Sequence, residues 1–155
     1  MALAEVTSML DEAGVDYKLL PHVYTETAAA EAVALDLPPS QVAKTLVVRT
    51  PSGYLRVLLP ASERLDLRKV RDLLGAGEHI QLASEEDLAR AYPEFELGAV
   101  PPLGGARRDP VLVDRRLSQL DSLVVEAGSH KQSLRIQTAD LMHLTEAQVA
   151  DICQD

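Results

Sequence analysis

Val42–Arg49 reads VAKTLVVR, a run of branched and small apolar residues with an ammonium in its middle. Such a run suits a buried strand, so Lys44 must either snorkel to an edge or face a cavity. In one reading it is an edge lysine that keeps other chains from adding to the sheet. In the other it is a cationic anchor on a cavity floor, where scarce water makes one charge count for more. The cavity is the expectation taken forward. Thr45 points to the opposite face of a regular strand, so both residues touch one ligand only at a bulge or a strand end. Pro51, Ser52 and Gly53 interrupt the run and Tyr54–Leu59 resumes it, the strongest hairpin signal in the chain.

Outward from that hairpin, Leu3, Val6 and Leu10 recur at helical spacing until Gly14. Tyr17–Pro21 reads as a short strand, and His22 stands at the mouth of a loop. Thr25 or Thr27 can cap a helix running to about Leu37, where Pro38 and Pro39 forbid continuation. Asp66 caps a helix through Leu74 that Gly75 and Gly77 end, and His79–Ala83 reads as a strand. Ser84 with Asp87 forms a capping box before a helix to about Ala91. Val111–Val113 is a short strand and Arg115–Leu120 a helical turn. Leu123–Ala127 should pair with Leu134–Thr138, and Thr145 with Gln148 reads as a capping box opening a last helix to Cys153. Strands and helices without βαβ alternation predict an α+β fold, a curved, mixed, mostly antiparallel central sheet with helices outside.

The chain of 155 residues fits a single domain, 1–155, with 46% apolar and 25% charged residues and no low-complexity block. Aromatics at 3% argue against a stacking platform for bases. A net charge of −9 excludes a broad basic face for duplex binding. Local basic clusters survive at Arg64, Arg68, Lys69 and Arg71, at Arg107 and Arg108, at Arg115 and Arg116, and at Lys131 and Arg135, and read most simply as solvated surfaces. The single Cys153 supports neither a disulfide framework nor a cysteine metal site, which fits a reducing cytoplasm. No secretory pattern or membrane-spanning run is visible, so the expectation is a soluble, untargeted protein without membrane contact.

Two further stretches carry chemistry. Tyr92–Asp109 is irregular and longer than most loops of compact domains, which makes it a binding candidate by length alone. Its segment Gly98–Gly105, GAVPPLGG, is stiff at Pro101 and Pro102 and permissive at both ends. It is either a tight surface turn or a substrate loop whose Gly104 and Gly105 amides stabilise an oxyanion, since prolines cannot donate. Gly128, Ser129 and His130 form either an ordinary hairpin connection or a pocket rim. His22, His79 and His143 are too scattered for a metal cluster, and no cofactor motif appears. No serine sits on a nucleophile elbow and no carboxylate pair stands out in the sequence.

Lys44 and Thr45 in the strand, Gly98–Gly104 with its spacing of Gly98, Pro102 and Gly104, and the later Gly128, Ser129 and His130 together resemble the YbaK/ProX family, relatives of the editing domain inserted in bacterial prolyl-tRNA synthetases. The likeness covers nearly the whole chain. It implies a partly open barrel and a free-standing aminoacyl-tRNA deacylase that hydrolyses the ester of a mischarged small amino acid, with proline tRNA the favoured carrier. It implies further that Lys44 holds the substrate end, that Gly98, Pro101, Pro102 and Gly104 surround the aminoacyl group, and that His130 limits side-chain size. His22, Thr45, Gly128 and Ser129 complete the expected substrate contacts, although Thr45 stands where some relatives carry asparagine. The partners implied are the acceptor end of a charged tRNA and a synthetase, with the chain either a monomer or a homodimer. Because an aminoacyl ester is already activated, a water or the ribose hydroxyl can attack without a protein nucleophile. The alternative is a non-catalytic synthetase-associated or small-ligand module of the same fold.

Overall fold

The computed structural model describes residues 2–75 and 79–155. Helix α1 (Ala2–Glu12) buries Val6 and Leu10, as its apolar spacing predicts. Strand β1 (Tyr17–Pro21) leads through the His22 loop to α2 (Ala28–Ala34), where the Thr27 side chain accepts from the Ala30 amide at 3.1 Å. The helix stops short of the expected Leu37, and a 3-10 turn at Pro39–Gln41 follows. Strands β2 (Ala43–Thr50) and β3 (Gly53–Pro60) form the expected hairpin in unbroken register, from Ala43 opposite Pro60 to Thr50 opposite Gly53. Asp66 caps α3 (Leu67–Leu74), and Gly75 closes it in the left-handed conformation at φ +62°, which glycine adopts without cost. Gly77, also read as a stop signal, lies outside the described residues.

Strand β4 is only Gln81–Leu82, shorter than expected, and lies on the exposed edge of β2. The capping box of Ser84 and Asp87 opens α4 (Glu85–Ala91), and Tyr92–Pro110 is irregular. Then come β5 (Val111–Asp114), α5 (Arg115–Ser118), β6 (Ser122–Ser129), β7 (Gln132–Gln137), α6 (Thr138–Thr145) and β8 (Gln148–Ala150). The expected helix from Thr145 to Cys153 is therefore corrected. Thr145 ends a helix, its hydroxyl donating to the Leu141 carbonyl at 2.8 Å, and Glu146 turns left-handed at φ +51°. The tail then runs parallel to β5, with Gln148 opposite Leu112, and buries Ile152 completely.

The fold is α+β, but its strands divide into two sheets where one curved central sheet was expected. One is antiparallel in the order β1-β7-β6; the other is mixed in the order β4-β2-β3-β5-β8, with β3–β5 and β5–β8 parallel. The main core lies between them, where Val47, Leu58, Val111 and Val113 meet Leu123, Val125, Leu134 and Ile136 beneath α1. On the other face of the five-stranded sheet, Val48, Leu55, Val57 and Leu112 pack against Val70 of α3 and Ile152. Burial on both faces explains why β2 and β3 read as nearly continuous apolar runs. Ala28 and Ala32 of α2 cover Val42 and Val124, which form an isolated parallel bridge joining the two sheets.

Candidate functional site

The regular hairpin separates Lys44 from Thr45. By alternation Thr45 shares the face of Ala43 and Val47 toward the main core, where it is buried and its hydroxyl has no hydrogen-bond partner. Lys44 shares the opposite face with Leu46 and Val48, directly across from Leu59, and is half-buried. Burial pulls its amine below the ordinary lysine range, and Cys153, Glu63 and Arg64 are its charged and titratable neighbours. It sits on the strand two residues beyond the Val42–Val124 bridge, so it flanks the seam between the sheets.

The long loop is fastened from below by Arg56, a residue absent from the expected site. Only 2% exposed, its guanidinium donates to the carbonyls of Pro101 (3.0 Å), Gly104 (3.1 Å) and Arg107 (3.3 Å) and lies 4.9 Å from the centre of the Tyr92 ring. Tyr92 in turn donates to Asp109, and burial together with that bond pushes its hydroxyl up to about 12. Arg107 forms a two-pronged pair with Asp109 and covers the Tyr54 ring. Of the surface cations read in the sequence, Lys69 is likewise engaged, by Asp151, Asp155 and the Cys153 carbonyl.

The loop's two ends lie in different places. At Gly98 a Cβ would stand 3.5 Å from His130 Cε1, and the Glu96 amide donates to the Gly128 carbonyl at 2.9 Å. At Gly104 a Cβ would stand 2.7 Å from the Glu5 carbonyl oxygen of α1, and at Gly105 2.9 Å from the Phe95 ring. Gly104 and Gly105, with Pro102, line a separate hollow of about 660 Å³ beside α1, at the far end of the loop from His130. Pro101 is buried, its carbonyl taken by Arg56.

His22, Ser129 and His130, by contrast, converge with Ala99, Thr25, Thr27, Glu31 and Glu126 on a narrow recess of about 10 Å³, room for one water-sized group. The pairing of β6 with β7 slips between Glu126 and Ser129, a bulge at Ala127 and Gly128 that turns the strand end toward the loop. The bulged turn is held on both sides. His130 donates its amide to Glu96 Oε2 at 2.6 Å, and its carbonyl accepts from the Thr25 amide at 3.0 Å. A carbonyl only accepts, so His130 Nε2 carries a proton toward Leu97 O, 2.5 Å away. The ring also lies 5.2 Å from the Tyr24 ring, so its orientation is fixed.

Behind the imidazoles stand two carboxylates. Glu31 of α2 is 3% exposed and accepts from the hydroxyl of Ser133, which lies 2.8 Å from His22 Nε2. His22 Nδ1 must donate to the Val23 carbonyl at 2.6 Å. Ser133 has one proton, so when it donates to Glu31 the imidazole of His22 donates at both nitrogens; a neutral His22 takes that proton and Glu31 must then hold its own. Glu126 stands directly opposite Ser133 across the strand pair; it is 9% exposed and its Oε2 has no hydrogen-bond partner. Burial, and then repulsion from Glu31, pushes the Glu126 carboxyl well above the ordinary range. Burial raises Glu31 too, with the Ser133 bond and then His22 and His130 pulling it back.

Glu31, Glu126 and Arg56 were all missed in the sequence. Glu126 carried a signal, a charged residue inside the apolar run LVVEAG, which is the pattern that singled out Lys44. Among the described residues no group of three His, Cys, Asp or Glu could hold a metal, and no helix is long and apolar enough to cross a membrane.

A model of the aminoacyl-tRNA editing domain matches residues 22–144. A protein of Enterococcus faecalis, "Putative Cys-tRNA(Pro)/Cys-tRNA(Cys) deacylase EbsC", is 26% identical over 148 residues, which span 93% of this chain and 89% of that one. Proline–tRNA ligase of Streptococcus pneumoniae is 27% identical over 130 residues, 80% of this chain and 21% of the ligase. The solved structure described as "Crystal structure of a putative trans-editing enzyme for prolyl tRNA synthetase" has a TM-score of 0.87 at 28% identity and covers 99% of this chain and 98% of its own. The matched span runs from His22 at the recess to Leu144 on α6, and the chain belongs to the aminoacyl-tRNA editing domain family.

Proposed function

We propose that this chain is a trans-editing deacylase that hydrolyses the ester joining a wrongly attached small amino acid to the terminal ribose of tRNA, with proline tRNA the favoured carrier. The observation that carries the reading is the clamped recess: His130, held by Leu97 O and the Glu96 carboxylate, walls it together with Ala99, next to Gly98, whose Cβ position lies 3.5 Å from the imidazole. A wall that cannot rotate away limits the side chain that fits against it. The relatives named as deacylase and as trans-editing enzyme support the same chemistry.

In the reaction, a water, activated directly or by the neighbouring ribose hydroxyl, adds to the ester carbonyl carbon; the bond to the ribose oxygen breaks, that oxygen takes up the proton the water gives up, and the free amino acid leaves. The chain's task is to hold the substrate and to favour the charge that develops on the carbonyl oxygen. Lys44, half-buried beside the seam between the sheets, is assigned to the terminal phosphate or the ester carbonyl, where burial strengthens a lone positive charge. With a net charge of −9, contact with tRNA is confined to the acceptor end through few cations, so affinity should be loose and sensitive to salt.

Single-turnover deacylation of a panel of tRNAs charged with alanine, serine, cysteine, threonine and proline tests the reading. Wild type should release at least one small non-cognate amino acid, and Lys44→Ala, folded by circular dichroism, should be slower by about a hundredfold or more. A wild-type protein inert toward the whole panel would overturn the proposed activity. A fully active Lys44→Ala would remove only the lysine from it.

A further inference from the structure

We propose that the recess between Glu31, Glu126 and the His130 turn is a binding site for a primary ammonium group, and that in the substrate this group is the free α-ammonium of the esterified amino acid. The second half rests on the deacylase reading above; the first stands on the recess alone.

Three observations carry it. The volume of about 10 Å³ matches one water-sized group, which is also the size of an ammonium. Glu126 lines that volume, and its Oε2 is buried with no hydrogen-bond partner, although native proteins rarely leave such an atom unpaired. Glu31 lines it from α2 and Glu26 from the loop before that helix, so several carboxyl residues border one small space; burial presses Glu31 and Glu126 toward the protonated form, and repulsion from Glu31 adds to this at Glu126. A water in the recess would satisfy a hydrogen bond but leave the charge unrelieved. A cation with three N–H donors answers both needs.

The placement also fixes what lies outside the recess. With the nitrogen seated against Glu126, the amino acid side chain and the ester carbonyl must lie outside so small a space, past the other residues that line it, among them His130 and Ala99. A nitrogen bearing a formyl, acetyl or peptidyl group has lost its charge and adds more atoms than the space holds. The recess therefore selects aminoacyl-tRNA over peptidyl-tRNA and initiator formyl-aminoacyl-tRNA, and spares chains under synthesis. His130 limits the side chain; Glu126 would verify that the amine is free.

The test uses two esters of nearly identical shape, alanyl-tRNA and lactyl-tRNA, in which a neutral hydroxyl replaces the ammonium. Wild type should prefer alanyl-tRNA in kcat/KM, and Glu126→Gln should reduce that preference by roughly ten- to a hundredfold, the worth of a charged hydrogen bond. Comparing the ratio in the two proteins cancels the different intrinsic reactivity of the esters. Thermal unfolding checks that Glu126→Gln folds, and Glu31→Gln replaces it should it not. An equal preference in wild type and variant would overturn the assignment, since a merely structural carboxylate would change stability and leave the ratio alone. If wild type hydrolyses neither ester, the deacylase reading is decided separately by the five-amino-acid panel. A methylammonium titration read by the carboxyl carbon shifts of Glu31 and Glu126 then decides the recess: saturable shifts uphold it, and none overturns it.

Discussion

The two long hairpins of this molecule each bury charged groups in an apolar ladder, and they treat them in opposite ways. In β2–β3 the register is unbroken, Lys44 and Arg56 fall on opposite faces, and Arg56 spends both terminal nitrogens on three loop carbonyls, leaving only Nε without a partner. In β6–β7 a bulge interrupts the register just after Glu126, and Glu126 keeps an oxygen with no partner at the edge of a recess. A charge inside an apolar strand therefore does not by itself mark a site. What separates a structural charge from an available one is whether the fold has already supplied its partners.

The largest way to break that contrast is Arg56→Met. If Arg56 is the clamp of the long loop, removing it strands the buried Pro101 carbonyl and the half-buried carbonyls of Gly104 and Arg107, and unfolding free energy should fall by about 3 kcal/mol in denaturant titration. A loss no larger than that of an ordinary surface change would mean that the bulged hairpin alone holds the loop. Gly104→Ala should cost about 2 kcal/mol, because its Cβ meets the Glu5 carbonyl oxygen at 2.7 Å and its φ is +88°. Gly98→Ala meets His130 Cε1 only at 3.5 Å, so backbone strain at φ +81° remains and the cost should be about 1 kcal/mol. Its effect on deacylation should nevertheless exceed that of Gly104→Ala, since Gly98 is the end that lies at the recess. The reverse order of activities would move the site to the hollow beside α1.

Much of this architecture was legible before any coordinates. The β2–β3 hairpin followed from its turn residues, α3 from the Asp66 cap and Gly75 stop, and α4 from its capping box, because each is a local signal read within a few residues. The tail was misread for the complementary reason. Thr145 and Gln148 have the spacing of a cap, but Gln148–Ala150 is a strand only because β5 offers it a parallel edge, a partner more than thirty residues away in sequence. The division into two sheets is equally non-local, since it depends on which strands decline to pair. For the site, His22, Ser129 and His130 are legible in the sequence and do converge, whereas nothing local singles out Glu31, which is 3% exposed. Periodicity tells which face a residue occupies, not what another segment places above it.

The quietest change probes the carboxylate pair without reference to catalysis. Both Glu31 and Glu126 have folded-state carboxyls raised above the ordinary value of 4.5, so above that pH the native protein binds more protons than the unfolded chain. Their contribution to stability is then complete below pH 4.5 and is lost as pH rises through the raised values. Glu126→Gln removes the repulsion and the titration together. At pH 4.5, where a protonated carboxyl and an amide are near equivalents, the variant should differ from wild type by under about 1 kcal/mol. Toward neutral pH wild-type stability should decline relative to the variant, so the two curves of unfolding free energy against pH diverge, with the variant above. Curves that stay parallel from pH 4.5 to 8 would mean that Glu126 is already paired in solution, and the distinction between the two hairpins would rest on the bulge alone.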